Sequence, residues 1–117
     1  MMSVLIVDDN PRFRANARRL LEAEGFDVVG EARDGHDAIS RAQVLRPDLV
    51  LLDIQLPDLD GFEVAARLAD LGLPSTVVLT STRGSADYGS LITDTAARAF
   101  IPKSELSGAA LMDVMSP

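Results

Sequence analysis

The sequence LVLLDIQLPDLDG at positions 49–61 determines how the rest of the chain is interpreted. It begins with a continuous aliphatic run, which is typical of a strand buried on both faces of a parallel sheet. Asp53 interrupts the run, and turn-forming residues follow it. A carboxylate at the end of such a strand lies at the carboxyl edge of the sheet, where open α/β sheets bind ligands. Asp53 is therefore the first candidate functional residue.

Strands and helices alternate on both sides of this stretch. Apolar runs predict five strands, at residues 3–7, 26–29, 49–53, 76–79 and 99–101. Helical spacing and end signals predict helices at residues 11–24, 36–45, 60–71 and 85–97, and a last one that Ser104 caps and that runs through Met115. Such alternation implies a parallel sheet with right-handed crossovers and helices on both faces. We therefore expect one doubly wound α/β domain over residues 1–117.

Composition narrows the class of protein. The 117 residues fit one domain, and a net charge of −7 argues against a phosphate-backbone binder. The absence of cysteine excludes disulfides, thiolate metal sites and thiol catalysis. The first apolar run, residues 4–7, is too short for a signal peptide or a membrane span. We expect a soluble cytoplasmic protein that does not bind nucleic acid directly through this domain.

Polar side chains stand at the ends of four predicted strands: Asp8 and Asp9, Asp53, Thr80 and Lys103. In a parallel sheet these ends share one edge, so residues that are far apart in sequence converge. Three carboxylates placed together repel one another and need a cation. Oxygen ligands without histidine or cysteine favour a hard ion, and Mg²⁺ suits a site that keeps waters and phosphate oxygens.

A lysine and a hydroxyl beside such an ion match the needs of phosphoryl transfer, where negative charge spreads over the equatorial phosphate oxygens. In this interpretation Asp53 is the nucleophile and forms an aspartyl phosphate.

These motifs together resemble the receiver domain of two-component response regulators, over essentially the whole chain. The motifs that carry the resemblance are Val7-Asp8-Asp9, Leu52-Asp53 with Pro57 and Asp60-Gly61, Leu79-Thr80-Ser81, and Phe100-Ile101-Pro102-Lys103. Each is weak alone, but in this order at strand ends they are specific. The resemblance implies a (βα)5 flavodoxin-like, CheY-like fold with strand order 2-1-3-4-5. It also implies a signalling switch that assists its own phosphorylation and dephosphorylation and is not otherwise an enzyme.

The resemblance assigns roles by position. Asp53 would accept a phosphoryl group from a sensor histidine kinase or a phosphotransfer protein, and a downstream protein would bind the altered conformation. Asp8, Asp9, the Asp53 carboxylate and the backbone carbonyl of Gln55 would hold Mg²⁺. Thr80 would hydrogen-bond the phosphoryl group, and Lys103 would pair with it.

Further positions are implied to modulate the switch. Phe100 falls at the aromatic switch position, whose ring moves as the Thr80 hydroxyl is drawn in. Ser81 matches the small residue that leaves the phosphoryl group accessible. Gln55 and Thr82 fall where side chains admit or exclude water.

The sequence also departs from the family pattern. Many receivers place proline directly after the lysine, with a cis peptide, whereas Ser104 follows Lys103 here and Pro102 precedes it. We expect a trans Lys103–Ser104 bond, because non-proline cis bonds cost about 2.5–4 kcal/mol. The predicted fourth helix and its approach carry the poor helix formers Gly84, Gly89, Thr93 and Thr95. This composition fits either a segment that rearranges on phosphorylation or, as we favour, an ordinary surface helix.

Other residues have simpler interpretations. His36 and Tyr88 are expected to be a solvated helix residue and a partly buried surface residue. The arginines of the first helix are expected to form its solvated face, although kinases often dock there in the family. Arg12 and Arg14 are accordingly candidates for kinase docking.

Only Ser116 and Pro117 follow Met115, so a stand-alone receiver without an output domain is expected if the chain is complete. If it is not, the missing part could be a DNA-binding domain. Family members often pair through the fourth helix, fifth strand and fifth helix, which makes a homodimer an option that the short fifth helix does not specifically support.

Two other classes of function compete with this one. Haloacid dehalogenase-like phosphohydrolases also use an aspartate at a strand end, but they place an acidic residue two positions later, where this chain has Gln55. Their nucleophile also lies on the first strand, whereas Asp53 lies on a middle one. A degenerate receiver that acts only as an interaction module would have no need for the complete set of acidic, hydroxyl and lysine residues.

Overall fold

Five parallel strands form one sheet at the centre of the computed structural model, which describes residues 1–116. The strands are β1 (Ser3–Val7), β2 (Asp27–Ala32), β3 (Leu49–Asp53), β4 (Thr76–Ser81) and β5 (Ala99–Pro102). Their spatial order is β2-β1-β3-β4-β5, and every hydrogen-bonded pair is parallel. The predicted fold class and strand order are confirmed. Pro117, the last residue of the predicted domain, lies outside the described residues.

Within residues 1–116, four α-helices connect successive strands and a fifth follows β5: α1 (Pro11–Ala23), α2 (Gly35–Leu45), α3 (Gly61–Asp70), α4 (Ser90–Asp94) and α5 (Gly108–Met115). The first three begin at residues that suit helix starts. Asn10 accepts hydrogen bonds from the backbone N–H groups of Arg12 and Phe13, and Pro11 occupies the first helical turn. Asp34 and Asp60 cap α2 and α3 in the same way. The three helices begin within one residue of their predicted starts at positions 11, 36 and 60.

Alternation along the central strands produces two cores. Leu5 and Val7 face one side of the sheet with α2 and α3, whereas Val4 and Ile6 face the other side with α1 and α5. Every residue of β3 is buried. Because β1 and β3 are covered on both faces, their carboxyl ends are held in fixed positions.

Two helix predictions were wrong. Instead of one helix over residues 85–97, the chain forms a 3₁₀ turn at Ser85–Asp87 and the five-residue α4. Gly89 has a φ of 55°, a left-handed conformation that interrupts a helix at this point. Ser104 does not cap the last helix, since it lies in a 3₁₀ turn at Lys103–Glu105. The cap is Ser107, whose hydroxyl accepts a hydrogen bond from Ala110 N–H at 3.0 Å.

Three strands extend beyond the predicted runs. β2 begins at Asp27 and continues through Gly30 to Ala32, β4 continues to Ser81, and β5 includes Pro102. Sheet pairing with β1 extends β2 past the apolar residues that identified it. Within residues 1–116, no helix is long and apolar enough to cross a bilayer.

Candidate functional site

Three carboxylates meet at the carboxyl edge of the sheet. β1 and β3 pair with Val7 opposite Leu52, so Asp8 and Asp53, the residues that follow these two, emerge side by side. Asp8, Asp9 and Asp53 each offer an oxygen, and these oxygens all lie within 4.8 Å of one another. Asp8 is fully buried, Asp53 is 4% exposed and Asp9 is exposed. This acidic cluster can hold a metal ion through hard oxygen ligands.

The cluster raises the proton affinity of Asp53. Burial, followed by repulsion from the Asp8 carboxylate, raises the pKa of Asp53 to about 6, although the Lys103 ammonium group partly opposes the shift. Burial disfavours the charged carboxylate because the site replaces water with less polar surroundings. Further positive charge next to Asp53 would therefore be favourable.

Lys103 supplies positive charge from the end of β5. Its Nζ lies 2.7 Å from Oδ2 of Asp8 and 3.5 Å from Oδ2 of Asp53. The 2.7 Å contact is an ion pair by distance, but Asp8 Oδ2 has no well-directed hydrogen bond among the described residues. Nζ also lies 4.3 Å from the centre of the Phe13 ring, which fixes the lysine by a cation–π contact. The Lys103–Ser104 peptide is trans, as expected.

Thr80 lies next to Asp53 in the β3–β4 register. Its hydroxyl oxygen is buried and has no hydrogen-bond partner within residues 1–116. A buried hydroxyl without a partner costs about 1–3 kcal/mol, and native structures rarely tolerate one without a functional reason. The arrangement is therefore suited to a ligand group near Asp53 that accepts a hydrogen bond from Thr80.

Backbone contacts orient the carboxylates. Oδ1 of Asp8 accepts a hydrogen bond from Asn10 N–H at 2.9 Å, and Oδ1 of Asp53 accepts one from Gln55 N–H at 3.2 Å. Gln55 is exposed and lies beside the cluster. Coordination of a metal by its carbonyl oxygen stays a prediction.

The chain also approaches Asp53 closely from α3. A Cβ on Gly61 would lie 2.7 Å from the backbone oxygen of Asp53 and 2.8 Å from Cα of Ile54. Gly61 N–H donates to the Ile54 carbonyl at 2.8 Å. The glycine of the Asp60-Gly61 motif therefore allows α3 to begin directly against the end of β3.

The expectation that the arginines of α1 are solvated was wrong for Arg14. Its side chain is 18% exposed, its Nη1 donates to the Asp8 carbonyl at 2.6 Å, and its Nε donates to Glu31 at 3.1 Å. Arg18 Nε donates to the same carboxylate at 2.8 Å. Arg14 and Arg18 are four residues apart and so lie on one face of α1, a spacing that is compatible with a shared acidic partner. That partner, Glu31, lies beyond the predicted end of β2 at residue 29. Arg14 thus supports the backbone that carries the acidic pair.

Tyr88 has more contacts than a partly buried surface residue. Its hydroxyl oxygen lies 2.6 Å from Ser81 Oγ, and its ring packs edge to face against Phe62 and Phe100. The sequence motifs at the strand ends include Phe100 and Ser81 but not the tyrosine that joins them. A single helix over residues 85–97 gives no indication of a partner for the Tyr88 hydroxyl, so the contact with Ser81 was not predicted.

His36 is exposed, in agreement with the expectation of a solvated residue, but it also has a partner. Its Nδ1 lies 2.6 Å from Oδ2 of Asp58, and both oxygens of Asp58 accept backbone N–H groups at the start of α2. Burial alone would raise the pKa of Asp58, but the N–H groups of His36, Gly35 and Leu59 and the His36 ring lower it below its usual range. This contact ties the loop that follows β3 to α2.

Comparisons with known proteins agree with this geometry. A family model described as the response regulator receiver domain matches residues 4–115. A transcriptional regulator of Pseudomonas aeruginosa is 41% identical over 105 residues, which are 90% of this chain and 51% of that protein. The virulence-factor transcription regulator BvgA of Bordetella pertussis is 42% identical over 102 residues, which are 87% of this chain and 49% of that protein.

The solved structures include the signal receiver domain of the response regulator NarL from Mycobacterium tuberculosis. It superposes with a TM-score of 0.88 at 32% identity and covers 99% of this chain and 98% of that domain. This chain spans about half the length of the two transcription regulators that it matches. The similarity therefore concerns one domain of those proteins.

Proposed function

The chain belongs to the response regulator receiver domain family, and we propose that its Asp53 is the phosphoacceptor of a Mg²⁺-dependent signalling switch. The buried Thr80 hydroxyl beside Asp53, which has no hydrogen-bond partner within residues 1–116, is the observation that carries the proposal. A purely structural site would satisfy this hydroxyl internally, whereas a phosphoryl group on Asp53 would supply the missing acceptor.

The acidic cluster fits a divalent cation. Its oxygens come from Asp8, Asp9 and Asp53, lie within 4.8 Å of one another and include no nitrogen or sulfur ligand, which suits Mg²⁺. When bound, Mg²⁺ supplies positive charge that neutralises the carboxylates and the transferring phosphate oxygens. The proposed ligand set includes the Gln55 carbonyl, which follows Asp53 by two residues.

The reaction transfers one phosphoryl group. A carboxylate oxygen of Asp53 attacks phosphorus, a new P–O bond forms, and the bond from phosphorus to the donor breaks. The electron pair of that bond leaves with the donor, which is the histidine nitrogen of a kinase or phosphotransfer protein. With a pKa of about 6, Asp53 is mainly ionised at neutral pH and can act as the nucleophile. Hydrolysis reverses the modification when water attacks the phosphoryl group.

Lys103 and Thr80 stabilise the transferred group. Lys103 Nζ is already 3.5 Å from Asp53 Oδ2, so a phosphoryl oxygen on that carboxylate can replace part of its pairing with Asp8. Thr80 donates its hydroxyl proton to another phosphoryl oxygen. The Lys103 ammonium group is in place before transfer and so needs little reorganisation, which is how preorganised sites lower a barrier. The Thr80 hydroxyl moves towards the group once it is bound to Asp53.

The proposal extends to partners and location. Receiver domains act with histidine kinases, and we propose a cytoplasmic protein whose donor is a sensor histidine kinase or phosphotransfer protein and whose target is a downstream protein. Two relatives are named as transcription regulators, so a transcriptional output for the larger protein is part of the proposal. Arg12 is the α1 arginine best suited to test kinase docking, because replacing Arg14 would also disturb the Asp8 backbone.

The test mixes the protein with Mg²⁺ and acetyl phosphate and follows intact mass with time. We expect one phosphate adduct that requires Mg²⁺ and is absent from Asp53→Asn. Asp60→Asn is the matched control, since Asp60 caps α3 close to the site without belonging to the cluster. An adduct that persists in Asp53→Asn would contradict the proposal, as would turnover on many phosphoesters without a stable adduct.

A further inference from the structure

Tyr88 is the point at which three parts of the fold meet. Its ring centre lies 5.8 Å from that of Phe62 in α3 and 5.9 Å from that of Phe100 in β5, with interplanar angles of 64° and 61°. These edge-to-face contacts hold the ring from two sides. Its hydroxyl is hydrogen-bonded to Ser81 at the end of β4, with an oxygen–oxygen distance of 2.6 Å.

Little else attaches this part of the chain to the sheet. No residue of the Ser85–Asp87 turn or of α4 is buried. Ile92 and Ala97 are partly buried against the core. Among the described side chains of residues 84–94, Tyr88 alone hydrogen-bonds to a strand. The hydrogen bond of the Tyr88 hydroxyl therefore joins the segment 84–94 to β4.

This hydrogen bond involves Ser81, the residue that follows Thr80. Among the described residues Thr80 Oγ1 has no hydrogen-bond partner, whereas Ser81 Oγ has two, the Tyr88 hydroxyl and the Arg83 N–H at 3.1 Å. Thr80 and Ser81 share a peptide group, so a displacement of Thr80 towards a group on Asp53 also displaces Ser81. The Tyr88 ring cannot follow freely because Phe62 and Phe100 hold it. A hydrogen bond weakens steeply when its distance and angle leave the preferred range, so a displacement of Ser81 relative to the held ring weakens this contact.

We propose that Tyr88 is a positioning residue that holds Ser81 and the segment 84–94 in the unphosphorylated arrangement, and that its hydrogen bond to Ser81 breaks when Asp53 is phosphorylated. This inference rests on the proposed function of Asp53. Tyr88 supplies the hydrogen bond that changes on phosphorylation, because Phe100 at the switch position carries no hydroxyl. The segment released by this step has no buried residue in its 3₁₀ turn or in α4.

The hydrogen bond favours the unphosphorylated state, so its removal favours phosphorylation. Tyr88→Phe keeps both ring contacts and removes only the hydroxyl. We expect this variant to be phosphorylated by acetyl phosphate about fivefold faster than the wild type, the effect of one typical hydrogen bond on a two-state equilibrium. Ser81→Ala should have a similar effect, and the double variant should be no faster than either single variant.

The sequence offers a direct spectroscopic test, because Tyr88 is its one tyrosine. Protein labelled with 3-fluorotyrosine has a single ¹⁹F resonance, from the ring that bears the hydroxyl. We expect this resonance to shift when Mg²⁺ and beryllofluoride, an analogue of the phosphoryl group, are added. Labelled Ser81→Ala lacks the hydrogen bond from the start. Its resonance should therefore lie near the position that the wild type reaches with beryllofluoride, and the addition should shift it little.

The outcomes distinguish a failure of this inference from a failure of the proposed function of Asp53, on which it rests. If the wild type forms a phosphate adduct but the resonance does not move, or if Tyr88→Phe reacts at the wild-type rate, the role of Tyr88 is wrong and the proposed function stands. Rate effects of the two single variants that add in the double variant would also overturn it. If the wild type forms neither the adduct nor the beryllofluoride complex, the proposed function fails first and this inference fails with it.

Discussion

The β1–β3 side of the carboxyl edge and the segment between β4 and β5 border the same site, but they are built differently. Asp8 and Asp53 follow fully buried runs of β1 and β3, and backbone N–H groups orient both carboxylates. The segment 84–94 contains a 3₁₀ turn and a five-residue helix without a buried residue. Phosphoryl transfer needs fixed geometry, whereas a conformational response needs a part of low local stability. The two regions meet these two needs separately.

The largest effect should follow replacement of the one lysine in the sequence. Lys103→Met removes the cation that lies 2.7 Å from Asp8 and 3.5 Å from Asp53, and the acidic cluster loses its internal charge compensation. We expect labelling by acetyl phosphate to slow about 100-fold, in line with the loss of a preorganised charge donor. Intact-mass kinetics measure this.

Arg98→Met is the matched control for that charge change. Arg98 immediately precedes β5, is exposed, and donates to the Ser116 carbonyl at 3.3 Å, away from the acidic cluster. Its replacement should leave the labelling rate within about twofold of the wild type. Equal losses in both variants would show that net charge, and not position, explains the effect of Lys103.

Glycines in the two regions allow a direct comparison of packing. In Gly61→Ala the new Cβ meets the Asp53 carbonyl oxygen and Ile54 Cα at 2.7 and 2.8 Å, so we expect a loss of about 1–3 kcal/mol in unfolding free energy. Gly84 has open space around it and a φ of −84°. Gly84→Ala should change stability by at most about 0.5 kcal/mol. Urea denaturation measures both values, and similar losses would contradict the contrast in packing.

The pH dependence of stability tests the raised pKa of Asp53, which burial and then repulsion from the Asp8 carboxylate produce. The folded pKa of Asp53, about 6, exceeds the ordinary 3.8, so the native state binds the proton more tightly than the unfolded state. Stability that is present below about pH 4 is therefore lost as the pH rises through 6. In EDTA, the wild type should lose about 2–3 kcal/mol relative to Asp53→Asn between pH 4 and 7.5. A constant difference between the two proteins across that range would contradict the raised pKa.

A smaller effect is expected for Asp58, whose hydrogen bonds join the loop after β3 to the start of α2. Backbone donors lower the pKa of Asp58, so its contribution is present above the ordinary value and is lost as the pH falls below about 4. We expect Asp58→Asn to lose about 1 kcal/mol in urea denaturation at pH 7 and less at pH 3. Asp94→Asn, at the end of exposed α4, is the comparison and should be nearly neutral. A larger loss at Asp94 would reverse the order of the two regions.

The sequence predicted the rigid region well, because the signals there are local and agree with one another. Aliphatic runs that end in aspartate identified β1 and β3, and Asn10 with Pro11 indicated the start of α1. Parallel topology then brings Asp8, Asp9 and Asp53 together at one edge. Mutual proximity of these residues follows from strand ends alone and requires no knowledge of side-chain packing.

Tertiary contacts decided what the sequence could not show. The residues between β4 and β5 carry weak helix signals, and the conformation of Gly89 with the ring contacts of Tyr88 determined their structure. Arg14 was placed on the solvated face of α1 because its contacts, the Asp8 carbonyl and Glu31, lie on other elements. Ser104 resembled a helix cap, but the turn at Lys103–Glu105 takes the chain to Ser107 first. In each case a partner distant in sequence overrode a local preference.

The central claim is that Asp53 carries the phosphoryl group, and chemical localisation tests it most directly. Protein labelled with acetyl phosphate and Mg²⁺ is reduced with borohydride, which converts an aspartyl phosphate to homoserine, and is then digested for peptide mass mapping. The account predicts homoserine at position 53 in the wild type and at no position in a sample prepared with EDTA. Homoserine at position 8 or 9, or labelling that is independent of Mg²⁺, would contradict it.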